Sequence, residues 1–233
     1  MYTETLTLAN GVKIPQLGLG TWFIDDANAA EAVKAAAKLG YRHFDTAQAY
    51  GNERGVGEGV RSCGVAREEL FVVSKVAAEH KTYEAAKASI DATLQKMGLD
   101  YLDMMIIHSP QPWDKVNQCE DRYVEGNRAA WRALEEAYKE GKLRAIGVSN
   151  FQIGDLNSLL EGCTVKPMVN QILLHISNTP LELVEFCQNN GIAVEAYSPI
   201  AHGEILHQPE IQAMAEKYGV AVPQLCIRYT LQL

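Results

Sequence analysis

Leu39-Gly40-Tyr41-Arg42-His43-Phe44 is the phrase on which the fold turns. A helix-like stretch ends, a glycine closes it, a short apolar run follows, and the run stops at an acid, Asp45. The phrase returns. Met97-Gly98-Leu99 leads to Met104–Ile107, Glu140-Gly141-Lys142-Leu143 leads to Ala145–Val148, and Asn190-Gly191 precedes Ile192–Ala196. Glycine suits the left-handed residue that ends a helix. Two further apolar runs, Phe71–Ser74 and Met168–Gln171, read as strands, and so does Gln16–Leu19 near the start.

Between the runs lie helical patterns: Ala27–Leu39, Asn52–Ser62, Thr82–Met97, Arg122–Glu140, Gln152–Glu161 and Pro180–Asn190. In the first, positions 29, 30, 33, 36 and 37 share a face; in the third, 83, 86, 90, 94 and 97 do. Thr179-Pro180-Leu181-Glu182 has the form of a capping box with proline at the first helical position. Before all of these, Thr5–Leu8 and Val12–Ile14 flank Asn10-Gly11, which predicts a hairpin with a type I′ turn.

Short apolar strands alternating with helices predict a parallel sheet with right-handed crossovers. Regular repetition with polar residues after each strand fits a (β/α)8 TIM barrel better than an open doubly wound sheet. Seven such strands are counted. Gln208–Tyr218 and Gln224–Gln232 read as helices around a joint at 219–222, so residues 1–233 are expected to form a single barrel domain that lacks its eighth strand and C-terminal loop. The expectation is that the natural chain continues some tens of residues past Leu233, or that the open edges recruit a neighbour.

Composition bounds the partners. With 47% apolar and 21% charged residues the chain has the makings of one sizeable core. A formal charge of -8 without a Lys/Arg cluster argues against nucleic acid and anionic membrane. No apolar run approaches the ~20 residues of a membrane span, and the polar N-terminus lacks a signal-peptide profile. Five widely spaced cysteines without a Cys-x-x-Cys read as free thiols, which predicts a reducing, cytoplasmic setting and no metal centre.

Residues at the C-terminal ends of barrel strands are the candidates for chemistry. Here they are Trp22, Asp45, Tyr50, Lys75, His108, Ser149, Asn150, Gln171, Tyr197 and Ser198. Each has a plainer reading: Asp45 as a turn former, Tyr50 as a rim aromatic, Lys75 as a solvated lysine, His108 and Trp22 as core, Ser149-Asn150 as a helix cap. As a set they are more informative. Lysine beside tyrosine favours the phenolate, and an acid behind the lysine keeps it charged, so the tyrosine is expected to be an acid tuned from ~10 toward neutral pH. A histidine nearby can donate a hydrogen bond to an incoming oxygen. Gly55-x-Gly57-x-Gly59 lies inside a helix, not between strand and helix, and is read as close helix packing rather than a dinucleotide fingerprint.

Gly20-Thr21-Trp22, Asp45-Thr46-Ala47-x-x-Tyr50-Gly51-Asn52-Glu53, Ser74-Lys75, Ile107-His108-x-Pro110, Gly147-Val148-Ser149-Asn150-Phe151, Asn170-Gln171 and Ala196-Tyr197-Ser198-Pro199 together resemble the aldo-keto reductase family, nearest its 2,5-diketo-D-gluconate reductase branch. The resemblance implies a barrel fold, NADP(H) as cofactor and a small carbonyl compound as substrate. It implies Asp45, Tyr50, Lys75 and His108 as the catalytic tetrad. Ser149, Asn150 and Gln171 would hold the nicotinamide carboxamide, Tyr197 would stack on its ring, Ser198 would meet the pyrophosphate, Thr21 and Trp22 would lie near the nicotinamide ribose and the substrate pocket, and Asp45 would also contact the cofactor. Trp22, Tyr50, His108 and Trp113 would line the substrate pocket. A complete member is expected to be a monomer. The sequence departs from the family pattern at Ser109, where tryptophan is common, and at His175-Ile176, where His-Pro is common. The alternatives are a non-catalytic binding or assembly barrel and a phosphate-binding barrel isomerase.

Overall fold

The computed structural model describes residues 3–116 and 118–233. Strands β1 (Thr5–Thr7) and β2 (Lys13–Pro15) form an antiparallel hairpin. The main sheet holds β3 (Gly18–Gly20), β4 (His43–Asp45), β5 (Phe71–Val76), β6 (Met104–Ile107), β7 (Ile146–Ser149), β8 (Val169–Leu173) and β9 (Ala193–Tyr197). The helices are α1 (Asp26–Lys38), α2 (Glu53–Ser62), α3 (Tyr83–Met97), α4 (Val124–Lys139), α5 (Ile153–Leu160), α6 (Leu181–Asn189), α7 (Pro209–Tyr218) and α8 (Val222–Thr230).

The seven strands are all parallel and lie side by side in unbroken chain order, β3 to β9. A doubly wound sheet reverses its order at a switch point; a barrel wall does not. The wall is therefore seven strands of a nearly closed (β/α)8 barrel. Its central strands are buried throughout, as a parallel sheet covered by helices must be.

The register explains how distant residues come to share the inside of the wall. Asp45 pairs with Val73, Lys75 with Ile106, Ile106 with Gly147, Ser149 with Gln171, and Gln171 with Glu195. Alternate residues of a strand face the same way, so Val73 and Lys75 share a face, as do Ile106 and His108, and Gly147 and Ser149. One face thus carries Asp45, Lys75, His108, Ser149, Gln171 and Glu195.

The glycines of α2 are packing devices, as their spacing suggested. A methyl group on Gly55 would lie 2.1 Å from the Asp26 carbonyl oxygen, and one on Gly57 2.2 Å from that of Met97. On Gly59 it would lie 2.6 Å from the Val33 side chain. Here α2 presses against α1 on one side and the end of α3 on the other. The predicted face of α1 is buried, as is that of α3 apart from half-buried Tyr83, with Thr82 capping α3 through Oγ1.

Four expectations change. The first main strand starts two residues later, at Gly18, and its residues are exposed or half-buried because it is an edge. The hairpin turn is not type I′, which needs positive φ at both central residues; Gly11 is left-handed at φ 86 and Asn10 is not. Helix α4 begins at Val124 because Tyr123 takes a left-handed conformation, φ 52. The Thr179 capping box does not form, because its hydroxyl bonds the His175 carbonyl and the Tyr229 hydroxyl. A small second core, Ile205, Ile211 and Cys226, joins the C-terminal helices.

Candidate active site

Asp45 ends β4, Lys75 is the fifth residue of β5, and His108 follows β6. Tyr50 lies in a single helical turn, Gln48–Tyr50, closed by Gly51 at φ 71. Neighbours pin that turn. Gln48 Nε2 donates to the Ser89 carbonyl and Thr93 Oγ1, and its Oε1 accepts from Ala77 N. Asn52 accepts from Thr46 Oγ1 at 2.6 Å and donates to the carbonyls of Thr21 and Ile24.

Lys75 is fully buried. Its Nζ donates to Asp45 Oδ1 at 2.5 Å, the Thr46 carbonyl at 3.0 Å and the Tyr50 hydroxyl at 3.3 Å. An ammonium has three hydrogens, and all three are used. Tyr50 therefore accepts from Lys75, which leaves its own O–H free to donate elsewhere. The Asp45 charge keeps the Lys75 pKa above its ordinary value despite the burial that opposes it.

The Tyr50 pKa moves opposite to expectation. Burial raises it, and the lowering by Lys75 does not overcome that. Tyr50 is a neutral phenol at physiological pH, the form needed in a proton donor.

His108 has its pKa lowered to about 3 by burial and by the Lys75 charge, so it is a neutral imidazole. Its Nδ1 is buried without a partner among the described residues, while Nε2 keeps solvent access. A buried N–H without an acceptor is rarer than an unused lone pair. The favoured tautomer therefore carries hydrogen on Nε2, as a donor facing the mouth. The ring lies edge-on to Tyr50, centroids 5.6 Å apart, and perpendicular to Trp113 at 4.9 Å.

Around this centre are aromatic side chains. Trp22 is 50% exposed, contrary to its plainer reading as core, and stacks on Phe23 at 4.2 Å. Phe23 is 81% exposed and held at φ 65, an outlier for a bulky residue that sequence reasoning passed over. The Trp22 ring lies 6.4 Å from that of Tyr50 and edge-on to His202.

The second half of the wall carries the remaining residues. Ser149 Oγ donates to the Gln171 carbonyl, and Asn150 Nδ2 to the His108 carbonyl and Ser149 Oγ. Neither caps α5, whose first turn is closed by Asp155 accepting from Gln152 N. Tyr197 donates its hydroxyl to Asn150 Oδ1 at 2.8 Å. Gln171 Nε2 donates to Asp45 Oδ2 at 3.0 Å and so joins this half to the tetrad. Thr21 is fully buried, and its hydroxyl donates to the Asp45 carbonyl. Ser198 lies on the loop after β9 at φ 51, against His202.

Glu195 was not singled out from the sequence. It donates nothing to the apolar character of Ile192–Ala196, and a lone acid inside such a strand was the available signal. Burial raises its pKa, with the Asp45 charge adding to the rise.

The family profile described as "Aldo/keto reductase family" matches residues 16–233. A glyoxal reductase of Bacillus subtilis is 45% identical over 98% of this chain and 79% of its own length. Among solved structures, an aldo/keto reductase from Brucella melitensis superposes with a TM-score of 0.90 at 37% identity, covering 99% of this chain and 85% of that one. A Bombyx mori aldo-keto reductase in complex with NADP gives a TM-score of 0.86 at 31% identity, covering 100% of this chain and 81% of that one. The chain belongs to the aldo/keto reductase family of oxidoreductases.

Proposed function

We propose that this chain reduces small aldehydes, ketones or keto-sugars to alcohols with NADPH, and that Tyr50 donates the proton. Carbonyl reduction with NADP(H) is the chemistry of the family to which the chain belongs. The observation that carries the finer reading is the Lys75 ammonium, which spends its three hydrogens on Asp45, Thr46 and Tyr50 and so leaves the Tyr50 O–H free.

The donor set fits a nicotinamide. Tyr197 is half-buried at the end of β9, Gln171 Oε1 accepts no hydrogen bond among the described residues and keeps solvent access, and the Ser149 hydroxyl and the Asn150 amide lie beside it. Gln171, Ser149 and Asn150 would hold the carboxamide and Tyr197 would cover the ring. When bound, the reduced dinucleotide supplies the hydride that goes to the carbonyl carbon.

The chain's own residues do the rest. His108 Nε2–H and Tyr50 O–H both donate to the carbonyl oxygen, which orients and polarises it. Tyr50 transfers its proton to that oxygen as negative charge develops there. The phenolate left behind is stabilised by the Lys75 ammonium, and Asp45 keeps that ammonium in place. Solvent then reprotonates Tyr50. Trp22, Phe23 and Trp113 form an exposed apolar rim, which a bound substrate and cofactor would cover.

The Bacillus subtilis relative is named a glyoxal reductase, which makes small aldehydes the first substrates to assay. Tyr50→Phe is expected to lower reductase activity by about a hundred- to ten-thousandfold with little change in urea midpoint. A variant that turns over at the normal rate would remove Tyr50 from the mechanism.

A further inference from the structure

Gln171 sits between two carboxylates. Its single amide nitrogen donates one hydrogen to Asp45 Oδ2 at 3.0 Å and the other to Glu195 Oε1 at 2.8 Å. Asp45 belongs to β4 and Glu195 to β9, so one amide ties opposite parts of the wall together. Both amide hydrogens are used, and Oε1 is left facing the open side.

Side-chain amides are ordinarily free to present either end, and their orientation is assigned from their neighbours. Here the neighbours are decisive. Turning the amide over would replace two N–H···O hydrogen bonds with two oxygen–oxygen contacts of about 3 Å. The other charged or titratable groups around Glu195 are His43, 3.9 Å away and with its Nε2 unpartnered, and Lys75 and Tyr50 beyond Asp45. None of them donates to Gln171, so with Glu195 ionised nothing on that side offsets the flip.

We propose that Glu195 is a positioning residue: with Asp45 it locks the Gln171 amide nitrogen-inward, so that the site offers an acceptor to the carboxamide NH2 of the dinucleotide. This rests on the reading of Gln171 as a carboxamide contact. Asp45 alone would hold one hydrogen and leave the amide partly free; Glu195 removes that freedom. The cost is an acid placed in a half-buried strand, where Oε2 has no partner among the described residues.

The test uses NADPH and its acetylpyridine analogue, which carries a methyl group where the carboxamide has NH2. Binding is read by quenching of tryptophan fluorescence, without turnover. The wild-type chain is expected to prefer NADPH by about three- to tenfold, the size of one hydrogen bond. Glu195→Leu is expected to bring that ratio toward parity, and Glu195→Gln, whose carbonyl still accepts, to restore it. A Glu195→Leu ratio equal to wild type overturns the inference, and so does a Glu195→Gln ratio as low as that of Glu195→Leu. Failure of the wild-type chain to bind either dinucleotide overturns the carboxamide reading itself, and this inference with it. Should Glu195→Leu not fold, the wild type alone decides. Its Gln171 side-chain amide protons, assigned by their loss in Gln171→Met, are expected to exchange with deuterium about tenfold more slowly than exposed glutamine amides. Exchange at the exposed rate would overturn the lock.

Discussion

Strands β5 and β9 both carry site residues, and their surroundings differ. All six residues of β5 are buried, and it is hydrogen-bonded to a strand on each side. All five residues of β9 are half-buried, and among the described residues it pairs with β8 alone. Lys75 rises from the first; Glu195 and Tyr197 rise from the second. The group that must hold a charge in one place is set where packing is tightest, because a buried ammonium is tolerable only when every hydrogen has a partner. Tyr197, which would cover the cofactor ring, lies where the wall is less buried.

The largest effect should come from breaking the rigid side. Lys75→Met strands the Asp45 carboxylate without its cation, and removing one partner of a buried pair costs about 3–5 kcal/mol. Urea denaturation should show that loss together with loss of reductase activity. A Lys75→Met chain as stable as wild type would mean that Asp45 and Lys75 are far better solvated than their burial indicates.

A matched pair of truncations sharpens the contrast. Ile106→Ala, in the fully buried β6, should cost about 2–5 kcal/mol. Val194→Ala, in β9, should cost under about 1 kcal/mol, since a half-exposed side chain has less contact to lose. Equal costs would show that β9 is covered in solution and that the two regions do not differ as described.

The smallest effect is a pH dependence. The His108 pKa in the fold, about 3, lies below the ordinary ~6.5 that it regains on unfolding. Between those values the unfolded chain binds more protons. The contribution of His108 to stability is therefore complete above about pH 6.5 and is lost as pH falls toward about 3. Urea midpoints at neutral and mildly acid pH should fall less for His108→Gln than for wild type. Identical slopes would mean that His108 is not held neutral. The same shift predicts no imidazole titration of His108 in NMR spectra across the physiological range.

Much of this site was legible as spacing. Asp45, Lys75 and His108 lie at or just after the ends of successive strands, and the register brings them to one face, while Tyr50 sits in the turn after β4. Gly55, Gly57 and Gly59 were readable as packing glycines because they lie within a helical pattern. Glu195 was less visible, being an acid in a strand whose other residues are apolar and whose partner, Gln171, lies 24 positions away. The hydrogen bond from the Thr21 hydroxyl to the Asp45 carbonyl was not visible, because the adjacency of Thr21 to Trp22 in the chain says nothing of which way each side chain turns. Thr179 has the residues of a capping box, yet Tyr229 lies near enough to take its hydroxyl.

By itself the sequence determined the alternation of strand and helix, the parallel barrel wall, the family, and the identity of the polar residues delivered to its inner face. These depend on hydrophobic period and local turn chemistry, which are properties of neighbouring residues. Only the tertiary structure decided the charge states and orientations: that burial outweighs Lys75 at Tyr50, that His108 is neutral with its free nitrogen at the mouth, and that Gln171 is held by two acids. Those outcomes depend on desolvation and on the fields of groups brought together from different strands, and neither exists until the wall has formed.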